Sequence, residues 1–334
     1  MPRALPYILI ECANTHGGDP AYLNRLIDSV ASYEKGFGIK FQPLAPDTLA
    51  TPDFPWYEVY KSLYFEPNTW REVIDRASMH KEVWLDLFDT YGVQILGENL
   101  SKIHGIKFQS SVLYNDELIH SLRALDLSNC ALIVNIAAQD VSQIENRIQT
   151  ITKELQPKTL CLEIGFQAYP TELSDSGLSK IEEIKSRFGL PIVFADHLEG
   201  SSTDAIYTPI IAWLKGADII EKHIMLDDAF ETKYDHFSSL TPDRFSHFVD
   251  TLQSYVGAMK APFINDRERT YLAKTVMVPV AKRTIEPGEL IGLTNNVHFR
   301  RSGKTGLTLD EIKEIQSERK LVCTEKSVHE TLTN

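Results

Sequence analysis

Gly38-Ile39-Lys40-Phe41-Gln42 and Gly105-Ile106-Lys107-Phe108-Gln109 are one pentapeptide written twice in the same chain. Each copy reads as a short buried strand with a lysine between two bulky apolar residues. Period-2 geometry sends Lys40 and Gln42 to the face opposite Ile39 and Phe41. A lysine snorkelling to solvent fits such a run poorly, so its ammonium has to reach a cavity or an anion. Two such strands suggest one anion-binding site built from strand ends. Schiff-base chemistry by a desolvated lysine is the other reading that the residues leave open.

Working outward, similar apolar runs recur at 7–13, 93–97, 131–137, 159–165, 192–197 and 218–224. With the two pentapeptides they make eight strands of the near-continuous kind expected in a parallel sheet covered by helices. Amphipathic stretches at 20–34, 68–91, 116–125, 140–155, 177–188, 203–215 and 241–259 supply the helices. Eight β/α units in about 260 residues fit a TIM (β/α)8 barrel. A doubly wound open sheet is the alternative, weakened because no Gly-rich phosphate loop follows the first strand. One unit is irregular: only residues 98–104 separate the third and fourth strands, where a parallel crossover needs about a dozen. Either the third helix is lost or a strand boundary is misplaced. The barrel is expected over 1–262, with a polar linker at 263–270 and a small β-rich domain at 271–334 that contains the turn Glu286-Pro-Gly-Glu289.

The chain has 334 residues, 43% apolar and 24% charged, with a net charge of −12. That charge argues against a general nucleic-acid or anionic-membrane binder. No apolar run approaches the ~20 residues of a membrane span. The four cysteines form no metal or CxxC spacing, which suits reduced, buried thiols in the cytoplasm.

In a barrel of this kind the active site lies at the C-terminal strand ends. Those ends carry Glu11, Asn14 and His16, then Lys40 and Gln42, Lys107 and Ser110, Asn135, Gln167 and Tyr169, Asp196 and His197, and finally Glu221 and His223. His197 and His223 end neighbouring strands. Either alone would read as a hydrogen-bonded structural histidine. As a pair beside carboxylates they suit a shared divalent metal, with Glu11 or Asp235 completing the set. Asp196-His197 resembles a hydrolase dyad, but no nucleophile elbow accompanies it.

Together these residues resemble the sialic acid synthase family, of the N-acetylneuraminate synthase type. Glu11-Cys-Ala-Asn-Thr-His-Gly-Gly-Asp19 is similar to its Glu-x-x-x-Asn-His-x-Gly-Asp opening, and Ile39-Lys-Phe-Gln42 to its Val-Lys-Phe-Gln. Ile106-Lys-Phe-Gln-Ser110 resembles Lys-Ile-Gly-Ser. Tyr169-Pro-Thr171, Phe188-Gly-Leu-Pro191, Ala195-Asp-His197, Ile219-Ile-Glu-Lys-His223 and Asp235-His-Phe-Ser-Ser-Leu-Thr-Pro242 resemble later motifs. Ile285-Glu-Pro-Gly-Glu289 looks like part of the family's SAF (antifreeze-like, β-clip) domain.

The resemblance implies condensation of phosphoenolpyruvate with an N-acetylmannosamine-like aldose, giving a nonulosonic acid and phosphate. It implies Mn2+ or Mg2+ on His197 and His223, and donor binding by Lys40, Lys107, Ser110 and Gln167. Glu11 would handle protons, and Tyr169 and Asp235 would contact the sugar. Arg300 or Arg301 would reach it from the partner subunit of a domain-swapped homodimer. Several positions depart from the pattern. Ala195 stands where the family has Ser, Gln167 for Asn, Ser111-Val112 for a carboxylate, and Asn135-Ile-Ala137 for Ser-Thr-Gly. Residues around Glu98-Asn-Leu100 replace its Thr-Pro-Phe. A divergent member is the reading these support. An inactive sugar- or metabolite-binding paralogue and a pyruvate-dependent aldolase or lyase on the same barrel remain as rivals.

Overall fold

The computed structural model describes residues 5–165, 171–226, 234–318, 326 and 330–332. Two compact units emerge, Met1–Met259 and Lys260–Asn334. In the first, eight parallel strands close into a TIM barrel: β1 (Tyr7–Glu11), β2 (Phe37–Phe41), β3 (Glu82–Asp86), β4 (Ile103–Phe108), β5 (Ala131–Asn135), β6 (Thr159–Ile164), β7 (Ile192–Ala195) and β8 (Ile219–His223). The seam is the β1–β8 pairing, with Glu11 opposite His223. A helix follows each strand: α1 (Pro20–Ser29), α2 (Pro67–Ser78), α3 (Thr90–Asn99), α4 (Asp116–Leu122), α5 (Val141–Leu155), α6 (Lys180–Phe188), α7 (Asp204–Lys215) and α8 (Pro242–Met259). Two short helical stretches, Pro46–Leu49 and Tyr57–Leu63, precede α2.

The third unit corrects the sequence reading. Residues 93–97, expected as a strand, belong to α3, and the third strand lies inside the stretch expected as one long helix. The third helix is therefore present and the crossover has ordinary length. Asp89 marks the break, because its side chain caps α3 by accepting from the Gly92 N–H at 2.8 Å. Val93, Ile95 and Leu96 read as a strand because they are the buried face of a short helix, which a brief apolar run cannot distinguish.

Two apolar compartments hold the barrel. The larger lies between sheet and helices and includes Ile39, Phe41, Ile106 and Phe108 from the two pentapeptides. The smaller fills the lumen with Leu9, Trp84, Ala131, Ile133, Cys161 and Val193. A side chain at Gly105 would put its Cβ 2.3 Å from the Trp84 ring, and one at Gly38 would lie 2.2 Å from the Tyr7 hydroxyl and 2.8 Å from Trp84 Nε1. Both glycines thus make room for one indole, whose Nε1–H donates to Tyr7 Oη at 3.0 Å.

The second unit pairs β9 (Met277–Ala281) antiparallel with β10 (Val297–Arg301). The stretch expected as a linker runs into a helix, α9 (Asp266–Thr275), and α10 (Leu309–Ser317) follows β10. Its core is small: Ala281, Ile285, Val297, Leu307, Ile312 and Leu332. No helix among the described residues is long and apolar enough to cross a membrane.

Candidate active site

Above the apolar lumen the inward positions turn polar. The even-numbered strands supply Lys40, Lys107, Glu163 and Glu221, the composition of one layer of a (β/α)8 interior. The odd-numbered strands supply Glu11, Asp86, Asn135 and Ala195. All eight are buried. Lys40 Nζ lies 2.6 Å from Glu11 Oε2, 2.7 Å from Glu221 Oε2 and 3.6 Å from Asp86 Oδ2. Lys107 Nζ lies 2.8 Å from Glu163 Oε1, 2.8 Å from Glu221 Oε1 and 3.9 Å from Asp86 Oδ2. The two lysines do share an anion, and it is the chain's own Glu221.

Two ammonium groups face four carboxylates here, so full ionisation would leave two negative charges in excess, deep in a poorly solvated site. Protons relieve that. Burial pushes Glu11 up to about 8 despite Lys40, and pushes Glu163 up to about 7, helped by the charge of Glu221 and opposed by Lys107. Burial would also raise Glu221, but Lys107 and Lys40 outweigh it and hold this carboxyl below its usual range. Desolvation disfavours both ammonium ions, yet the carboxylates win and each lysine is raised. Glu11 also accepts from the Ala13 N–H at 2.7 Å. Ala13 has φ +41°, a strained turn directly at the strand end.

Nearer the mouth, the Asn14 N–H donates to Asp235 Oδ2 at 3.1 Å and Asn14 Nδ2 to Gln42 Oε1 at 3.2 Å. Ser110 Oγ donates to Asn135 Oδ1 at 2.7 Å, and Asn135 Nδ2 to Glu163 Oε1 at 2.7 Å. The His197 and His223 rings are buried with centroids 5.0 Å apart. Burial and then His197 hold His223 well below the usual imidazole range, so it is neutral. Its Nδ1 is buried and has no hydrogen-bond partner among the described residues.

Two buried imidazoles side by side, the His223 ring neutral, are the side chains here that could hold a divalent ion. The carboxylates expected to complete the set are committed elsewhere, Glu11 to Lys40 and Asp235 to Asn14. Among the described residues no group of three His, Cys, Asp or Glu forms a metal cluster. The expected ligand set thus narrows to the His197–His223 pair.

The sequence profile of the NeuB family matches residues 33–262, more than half of the 334. The chain belongs to the NeuB family. This NeuB-family chain is 25% identical over 267 residues to a pseudaminic acid synthase of Campylobacter jejuni, which covers 76% of this chain and 74% of that protein. It is 24% identical over 263 residues to an N,N'-diacetyllegionaminic acid synthase of Legionella pneumophila, with coverage of 74% and 71%. A solved N-acetylneuraminic acid (sialic acid) synthetase from Leptospira borgpetersenii superposes with a TM-score of 0.68 at 23% identity, over 81% of this chain and 92% of that one. At that identity the likeness speaks for the fold.

Within this NeuB-family barrel, Glu11, Lys40, Lys107, Asn135 and Glu221 share the buried layer, while Asn14, Gln42, Ser110, Asp235, His197 and His223 surround its mouth. Asp196 does not join them. It faces outward, accepting from Lys222 Nζ at 2.8 and 3.0 Å, while the same ammonium reaches the Ala205 carbonyl at 3.0 Å. His16 turns into its own loop, where Nδ1 accepts from the Gly18 N–H at 3.0 Å and the ring packs on Phe65. Burial pushes it down to about 4. Glu98 lies on α3, 3.6 Å from Arg71, so the residues ending the third strand are Asp86-Leu-Phe88 rather than Glu98-Asn-Leu100. Arg300 and Arg301 are exposed on β10 of the second unit. Gln167, Tyr169 and Cys323 lie outside the described residues.

Sequence reading missed three residues. Asp86 was hidden inside a misread helix. Glu163 sits in a recognised strand, and a lone acid in that apolar run was the same signal that singled out the lysines. Lys222 was obscured by the histidine beside it.

Proposed function

We propose that this chain condenses phosphoenolpyruvate with an N-acetylmannosamine-like aldose to give a nonulosonic acid and phosphate. The observation that carries the reading is the gathering of two lysines, a proton-holding carboxyl and two buried imidazoles at one barrel mouth, in a NeuB-family chain whose relatives include named synthases of such acids. The enol methylene carbon of the donor forms a bond to the aldehyde carbon. Water adds at the enol carbon and phosphate leaves, so the products are the keto acid and inorganic phosphate.

Lys40 and Lys107 hold the donor's carboxylate and phosphate, with Ser110 and Asn135 beside them, and the family resemblance assigns Gln167 the same task. Glu11, raised to about 8, can hold a proton at neutral pH and serves as general acid/base. Asp235, Asn14, Gln42 and Tyr169 face the sugar. Residues 271–334 act as an SAF domain, presenting Arg300 and Arg301 across a domain-swapped homodimer. His197 and His223 would hold Mn2+ or Mg2+, which would supply Lewis-acid polarisation of the aldehyde.

A second reading, with pyruvate as donor or product, draws support from the lysines being already matched by the chain's carboxylates. One assay separates the two: purified protein with Mn2+ and a panel of acetamido-sugars, supplied with phosphoenolpyruvate in one arm and with pyruvate in the other. Phosphate release with any acceptor supports the condensation. Pyruvate consumption in the second arm, with no phosphate released in the first, supports the second reading, and no turnover in either arm with any acceptor sinks both.

A further inference from the structure

Glu163 has no task in the chemistry above, yet it holds one of the two lysines assigned to the donor. It is fully buried on β6, with Oε1 2.8 Å from Lys107 Nζ and also accepting from Asn135 Nδ2 at 2.7 Å. Asn135 in turn accepts from Ser110 Oγ at 2.7 Å. One carboxylate thus ties together Lys107, Asn135 and Ser110, all three of the described donor-binding residues on that side of the barrel. Its other oxygen, Oε2, is buried and has no hydrogen-bond partner among the described residues.

We infer that Glu163 sets donor specificity by occupying Lys107 as an internal anion, so that an anionic donor binds only when Glu163 is neutral. The inference rests on the reading of this site as the donor pocket. Repulsion between two unit charges about 5 Å apart at an effective dielectric near 20 exceeds a tenfold change in affinity. An ionised Glu163 and a donor anion on one ammonium are in that situation.

The surroundings decide whether Glu163 can become neutral. Its direct partners are Lys107 from β4 and the uncharged Asn135 from β5, and the charged groups that act on it are Glu221 from β8, Lys107, and Lys40 from β2; Glu11, Asp86 and Ala195 fill the other positions of the layer. Desolvation and the charge of Glu221 push it up to about 7 against the pull of Lys107 and Lys40. It therefore exchanges its proton near neutrality. Glu163 acts through Lys107 and is a positioning residue, so its signature is a pH profile rather than a loss of turnover.

The test is calorimetric titration of phosphoenolpyruvate, and separately of pyruvate, into the full chain between pH 6 and 8.5. Wild type is compared with Glu163→Gln, which keeps volume and can still accept from Asn135. Comparing variant with wild type at each pH cancels the ligand's own ionisation. Glu163→Gln should bind the donor at least about tenfold tighter at pH 8, with the advantage shrinking towards one at pH 6. Equal or weaker binding by the variant, or an advantage that does not change with pH, overturns the inference. If Glu163→Gln does not fold, Asp86→Asn takes its place, since Asp86 faces both ammonium groups at 3.6 and 3.9 Å and should shift affinity in the same direction. Should pyruvate alone bind and follow this pattern, the inference stands and phosphoenolpyruvate falls as donor. Binding of neither anion removes both.

Discussion

The Asp196–Lys222 pair offers the sharpest test of how the barrel holds its two histidines. The residues lie immediately beside His197 and His223 but point the other way, out of the lumen towards α7, where Lys222 also reaches the Ala205 carbonyl. Both side chains are essentially excluded from solvent, with relative exposures of 0% and 1%. At 2.8 Å and an effective dielectric near 20, their attraction is about 6 kcal/mol. Desolvating the two ions costs several kcal/mol each, so the intact pair contributes little net stability. Burial indeed holds the Asp196 carboxyl above its usual range in spite of Lys222. Removing one partner is different, because the survivor stays buried without its counter-charge. Lys222→Met and Asp196→Asn should each destabilise the barrel by about 3–5 kcal/mol. The double variant should lose well under the sum, leaving a coupling of about 2–3 kcal/mol. Urea unfolding of the four proteins in one cycle measures this. Alongside it, Mn2+ affinity by equilibrium dialysis should weaken in the single variants, since the pair pins the ends of β7 and β8. Additive losses, or single variants within about 1 kcal/mol of wild type, would refute the reasoning.

Three further outcomes are expected. Gly105→Ala should cost about 1–3 kcal/mol in urea unfolding, because its Cβ would lie 2.3 Å from the Trp84 ring, and the cost should shrink in a Trp84→Phe background; an unchanged cost there would show that the indole is not what the glycine accommodates. Stability should fall between about pH 6.5 and 8. Glu11 and Glu163, raised by burial to about 8 and about 7, bind protons more tightly folded than unfolded and so lower stability as pH rises to those values; His16, lowered to about 4, and His223, also lowered, do the opposite below 6.5 and offset them there. Glu221 is held low and adds nothing within that window, and Glu11→Gln should flatten the fall when ΔG is followed by urea titration at each pH. His223→Ala should abolish divalent-ion binding while leaving the circular dichroism spectrum of the barrel intact, and retained metal stoichiometry would remove His223 as a ligand.

The barrel was legible because seven of its eight strands are buried on both faces and read as apolar runs. The third was not, for a physical reason. Glu82-Val-Trp-Leu-Asp86 begins and ends with acids, and the helix before it supplies an unbroken amphipathic lead-in. The following helix is short, and its buried face imitates a strand. A capping aspartate, Asp89, was the available signal. The site was legible as a list of polar strand ends, since inward residues at the barrel mouth meet by topology alone. Which partner each side chain takes was not. Asp196 and Lys222 flank the lumen in sequence and leave it in space, because alternate residues along a strand face opposite sides. The departure placed at Glu98 moves to Asp86 once the strand is known, which turns a surface residue into a member of the lysine layer.

The repeated pentapeptide follows from that same strand. β2 and β4 are its two neighbours, and Lys40 and Gly105 both pair with Trp84 in the register. One indole in the lumen excludes a Cβ on either side, so both neighbours carry glycine low in the barrel. Two residues higher, on the same face, Asp86 lies 3.6 Å from Lys40 and 3.9 Å from Lys107, so both neighbours carry a cation. The intervening isoleucine and the phenylalanine face the helices, where bulk is needed in either copy. Flanking a common strand imposes the same steric and electrostatic demands twice, and the pentapeptide satisfies them without any duplication of the surrounding chain. Gly105 is tied to residue 84, Gly38 to residue 84 and the Tyr7 hydroxyl together, and the two lysines to the carboxylates around them. A smaller side chain at 84 should therefore relax the constraint at Gly105, leave Gly38 still blocked by the Tyr7 hydroxyl, and leave Lys40 and Lys107 as intolerant of replacement as before.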